Sequence, residues 1–69
     1  LAEVVLTSVL RSDALLARGR LHLRAGRPGV AQPCFEQAER GWAEVNPGSV
    51  WHVEAQEALA EAQRAIASA

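Results

Sequence analysis

Two short stretches, "GRPG" at 26–29 and "NPGS" at 46–49, divide the chain into segments of helical length, and they constrain its fold more than anything else in the sequence. Gly26 can take the left-handed conformation that closes a helix, and Pro28 biases Arg27 away from helical dihedrals, so the chain must reverse at 26–29. Pro47 and Gly48 mark a second reversal. The fold must therefore be assembled from short elements joined by tight turns.

The pattern within each segment is helical. No stretch alternates apolar and polar residues as a strand needs, and much of the apolar content is Ala, the strongest helix former. After the first breaker, Ala31, Phe35, Ala38, Trp42 and Val45 recur at alternating spacings of four and three, which places them on one face of a helix. That helix is expected to begin near Gly29 or Val30, with Pro33 in or near its first turn, where a missing N–H costs little. Glu36 and Arg40 are spaced to pair on its wet side. After the second breaker, Ser49 offers an N-cap for a helix reaching about Ser68. Its apolar stripe is Trp51, Ala55, Ala58, Leu59, Ala62, Ile66 and Ala69; its charged stripe is Glu54, Glu57, Glu61 and Arg64. The opening segment is less determined. Val5 and Val9 beside Leu6 and Leu10 make a helix face, but Ser12 and Asp13 could either cap a second helix over Ala14–Ala25 or lie inside one long helix starting near Ala2. Three or four helices follow, in an all-α fold.

Composition removes several function classes. Sixty-nine residues with a net charge of -1 and a pI near 6.1 hold no basic footprint, and every one of the seven cationic side chains is Arg. Neither nucleic acid nor an anionic membrane is the expected partner. A helix-turn-helix reading of "LHLRAGRPGVAQPCFEQAER" fails on the same ground, since Pro33, Glu36 and Glu39 would fall on the helix facing phosphate. The "LAEVVLTSVL" opening is too short to span a bilayer and lacks the basic flank of a signal peptide. Because it begins with Leu1, the chain is expected to be a piece of a longer protein. Cys34 is the single cysteine, so no internal disulfide can form, and with His22 and His52 it cannot complete a structural zinc set. A reducing, cytoplasmic setting is expected, with Cys34 a buried and inert thiol and His22 and His52 in packing roles. No Ser/His/Asp or Cys/His set has its third member, no glycine loop can cradle a phosphate, and Glu57 and Glu61 read as a solvated stripe rather than a catalytic pair. No enzyme activity, cofactor or metal is expected.

Gly19, Gly26, Ala31, Phe35 and Ala38, with Leu15 and His22 at large packing positions, resemble the tetratricopeptide repeat, a helical hairpin about 34 residues long. Close approach explains the spacing: two helices can meet where Gly19 and Ala31 carry almost no side chain, and Phe35 fills the wedge between them. Here the second helix runs on through "GWAEV" before turning, so the small residue corresponding to Gly19 is Ala60, 41 residues later. That lengthening looks like the kinesin-light-chain type of repeat. The resemblance covers about residues 13 to 65. It divides the chain into residues 1–12, a helix from a preceding repeat or an N-terminal extension; residues 13–48, the hairpin; and residues 49–69, a following or capping helix.

The resemblance implies an α-solenoid fragment of stacked antiparallel hairpins that binds a protein or peptide partner on the concave surface formed by the first helix of each repeat. Carried over by position, the inward side chains are Asp13, Leu16, Arg20, Leu23 and Arg24, then Glu54, Glu57, Glu61 and Arg64. The plainer expectation is that Arg20 and Arg24 face Glu57 and Glu61 and only hold neighbouring helices in register, at less than about 1 kcal/mol per exposed pair. Family members that grip a C-terminal carboxylate use Lys and Asn at these positions, and neither stands here. A repeat cannot cover its apolar face alone, so neighbouring repeats are expected. The alternative is a structural module that self-associates through the small apolar residues of 55–69 and has no separate ligand.

Overall fold

The computed structural model describes the backbone of residues 2–68 and the side chains of residues 9–68. The described chain is three helices, α1 (Ala2–Arg24), α2 (Pro28–Val45) and α3 (Val50–Ser68), and contains no strand. Links this short force each helix to run antiparallel to the one before it. α2 packs along both of its neighbours, while α1 and α3 barely meet.

α1 is continuous through Ser12 and Asp13, so these residues do not start a second helix. Ser12 is almost fully buried in the helix interior, and nothing in residues 2–24 breaks the hydrogen-bond ladder. The helix stops where the sequence demands. Gly26 has φ 76°, its N–H donates to the Leu23 carbonyl at 3.1 Å, and the Arg27 N–H donates to the His22 carbonyl at 2.9 Å. These are the two bonds of a Schellman cap.

α2 begins earlier than the sequence suggests, at Pro28 rather than Gly29 or Val30. Pro28 therefore takes the first helical position, and Pro33 falls in the second turn, where its missing N–H leaves the Gly29 carbonyl without a helical donor. Gly29 is exposed, so water can supply one. The second link is a turn in which the Ser49 N–H donates to the Asn46 carbonyl at 3.2 Å, with Pro47 and then Gly48 at φ 80° between them. Proline followed by a positive-φ glycine is the chemistry of a type II turn.

The core is Leu16 from α1; Ala31, Phe35, Ala38 and Trp42 from α2; and Ala55, Ala58 and Ala62 from α3. Phe35 is fully buried and abuts Gly19 so closely that a Cβ there would lie 2.4 Å from its ring. Only glycine allows α1 this near. Val9, Leu15, Leu23 and Leu59 pack partly against the cluster. Two residues of the anticipated α3 stripe differ, since Trp51 and Ile66 are exposed; Ala69, the last of the stripe, lies outside the described residues. In their place α3 buries His52.

Candidate protein-binding groove

α1 and α3 stand on the same side of α2 without closing on each other, which leaves a groove of about 340 Å³ floored by Phe35 and Ala58. One wall carries Arg20 and Leu23; the other carries Glu54, Glu57, Glu61 and Arg64. These positions come together because successive turns of each helix bring every third or fourth residue to one face. Six of the nine residues singled out from the sequence line this one groove.

The other three are placed elsewhere. Leu16 is buried in the core and packs rather than facing the groove. Asp13 lines a separate cleft nearer the start of α1, and Arg24 is exposed outside both. Ion pairing also differs from expectation. Arg20 pairs with Glu54, not with Glu57 or Glu61, and both partners are more than two-fifths exposed. Among the described residues Arg24 has no acid within pairing distance, and neither Glu36 nor Arg40 enters an ion pair. The groove thus holds one neutralised pair together with Glu57, Glu61 and Arg64, a charged surface able to read the charge pattern of a ligand. Cys34 is half-buried rather than buried, and it is free. Among the described residues no three His, Cys, Asp or Glu side chains are grouped as a metal site, and no helix is long and apolar enough to cross a membrane.

Two features escaped the sequence reading. His52 is a clamp: its Nδ1 accepts the Gly48 N–H at 2.9 Å, so Nε2 carries the ring proton and donates to Glu39 Oε1 at 2.8 Å. Its own N–H donates to Ser49 Oγ at 3.2 Å, so Ser49 is the N-cap expected from the sequence and His52 the third helical residue, whose side chain reaches back one residue beyond a capping box, to Gly48 rather than to the cap itself. The Ser49-x-x-His52 spacing was the available signal. The second feature is a stacked pair, Trp42 and Trp51, with ring centroids 5.5 Å apart. The indole Nε1 of Trp42 is buried and, among the described residues, has no acceptor.

No protein-family model matches the sequence, and no curated protein or solved structure is similar enough to count as a match, so residues and geometry alone carry the functional reading.

Proposed function

We propose that the chain is a protein-interaction module of the tetratricopeptide type, part of a larger scaffold, whose α1–α3 groove receives a peptide or helix of a partner protein. The observation that carries this reading is the groove itself: Arg20, Leu23, Glu54, Glu57, Glu61 and Arg64 converge on it from two helices held apart by α2. The Gly19–Phe35 contact supports the family resemblance, because it is the close approach that the hairpin's spacing requires. Partner choice then comes from charge and shape, without chemistry on the ligand. A cytoplasmic setting belongs to the same proposal and rests on the free Cys34.

Peptides selected from a displayed library against the protein test the proposal. They should lose binding when Glu57 and Glu61 are replaced by Lys, and keep it when Arg18, exposed and outside the groove, is replaced by Glu. Equal loss in both variants, or no loss in either, would overturn the reading.

A specific observation also favours self-association. Val50 and Val53 are exposed and, with Gly48, Glu54 and Glu57, line a shallow depression on α3 whose centre is apolar and whose edge is acidic. Ala55, Ala58 and Ala62 are already covered by α2, so a second copy would have to meet the Val50–Val53 side instead. Sedimentation velocity over a wide concentration range separates the readings: a helical monomer throughout favours the groove, and a dimer that Val53→Glu disrupts favours self-association.

A further inference from the structure

Near the start of α1, at the far end of α2 and the beginning of α3, lies a second cleft of about 370 Å³. Its walls are Val9 and Leu10 from α1, Trp42 and Val45 from α2, and Trp51 from α3. Leu10 is 61% exposed and Trp51 is 53% exposed, so two of the largest apolar side chains in the molecule stand at its mouth in contact with water. The rim is polar: Asp13 and Asn46 flank it. An apolar centre with aromatic walls inside a polar rim is the anatomy of a binding hot spot.

Two observations on this cleft point to an occupant. Trp42 is 95% buried by its 5% exposure, yet among the described residues its indole N–H has no acceptor. A buried Trp donor normally finds a partner, and one left without it costs about 1–3 kcal/mol. Asp13 is exposed at the rim, and among the described residues no cation lies within ion-pair distance of it. Among the described residues the cleft leaves the Trp42 N–H without an acceptor, Asp13 without a cation and its apolar centre without an apolar side chain, and a peptide segment can supply all three.

The geometry points to a pocket for one bulky apolar side chain of a partner protein, carried on a segment whose backbone carbonyl accepts the Trp42 indole N–H and whose Lys or Arg meets Asp13. Trp51 stacks on Trp42 and is half exposed at the mouth of the same cleft. The inference rests on the reading of the chain as an interaction module, but it uses a different cleft and names the partner's chemistry: an apolar anchor beside a basic residue.

The chain has two Trp and no Tyr, and both Trp residues line this cleft, so both indole signals report on it. The test titrates isotopically labelled protein with blocked pentapeptides X-Ala-Arg-Ala-Ala, where X is Leu, Phe or Ala, while the two indole N–H resonances and Trp emission are followed. Leu and Phe peptides should move both indoles saturably, with the Trp42 proton displaced as a new acceptor arrives. Replacing the anchor by Ala should weaken binding about tenfold or more. Replacing Arg by Glu in the peptide, or Asp13→Asn in the protein, should weaken it about two- to fivefold. Unmoved indoles with every peptide, equal binding of the Leu and Ala forms, or a Trp42 proton that stays put while Trp51 moves would overturn the assignment. Shifts confined to Arg20, Glu57 and Arg64 would overturn it too, while leaving the α1–α3 groove in place as the interaction site. Indole shifts that follow protein concentration without peptide would give the cleft to a second copy and overturn it equally.

Discussion

The α1–α2 and α2–α3 interfaces are built on different principles. Between α1 and α2, Leu16, Leu15 and Leu23 pack around a glycine that admits the Phe35 ring, and the link is closed by backbone bonds alone. Between α2 and α3 the α3 side contributes mainly Ala55, Ala58 and Ala62, with Leu59 its one partly buried leucine, and the link needs side chains: Ser49 as cap, His52 bridging to Glu39, and Trp51 stacked on Trp42. Apolar stabilisation scales with the area removed from water, so an alanine face contributes less than a leucine face. The polar clamp stands where the apolar area is small. α3 should consequently be the helix that opens first, which gives the comparison a measurable form.

The largest effect is expected at the residue both interfaces share. Phe35→Ala empties the centre of the core, at a cost of about 3–5 kcal/mol. In a domain of this size that is comparable with the whole stability, so circular dichroism should show loss of cooperative unfolding across all three helices. Loss confined to α3 would mean that Phe35 belongs to only one interface. Gly19→Ala comes next. The added Cβ meets the buried Phe35 ring at 2.4 Å, and overpacking of this kind costs about 1–3 kcal/mol, against a gain of up to about 1 kcal/mol in helix propensity. A urea titration should show net destabilisation; a rise in midpoint would show that the ring yields and that the α1–α2 approach is looser than described.

The clamp is the sharper probe of the difference between the interfaces. His52→Ala leaves the Gly48 N–H and Glu39 without partners, and the loss should be about 1 kcal/mol. What matters more is where it appears. Amide exchange should quicken in the first turns of α3 while the α1–α2 amides near Phe35 keep their protection, as expected when one unit opens before the rest. Uniform acceleration along the chain would show that the three helices open as one.

These contrasts also mark what the sequence could tell. The helical class, both turns and the α2 stripe were legible, because Gly and Pro act locally and Ala31, Phe35, Ala38 and Trp42 obey one period; that α1 is one helix rather than two was not, because Ser12 and Asp13 suit an N-cap as well as a helix interior. The start of α2 was misplaced by a residue or two, since Pro28 is itself an acceptable first helical residue and leaves no local mark of the boundary. On α3, periodicity selected Trp51 and Ile66 for the core but missed His52. A histidine buried through two hydrogen bonds is invisible to a hydrophobic pattern; it depends on Glu39, thirteen residues away on another helix. The groove was partly legible for a similar reason. Helical spacing brought Arg20, Leu23 and the α3 charges to one side, but it could not say that Leu16 is buried or that Arg20 reaches Glu54 in preference to Glu57 or Glu61.

The smallest effect is expected at that ion pair, and its smallness is informative. Arg20 and Glu54 are the one direct polar bridge between α1 and α3 among the described residues, yet both side chains are well exposed, so water and salt screen the attraction. Arg20→Ala should change stability by less than about 1 kcal/mol in a urea titration. If the pair served mainly to fix the helices in register, its removal would loosen α3 as His52→Ala does, and exchange in the first turns of α3 would quicken. If the groove is a recognition surface, stability should hardly move, exchange should stay as it was, and binding of selected peptides should fall. The same substitution therefore separates a structural bridge from a ligand-reading side chain, because the two roles predict losses in different measurements.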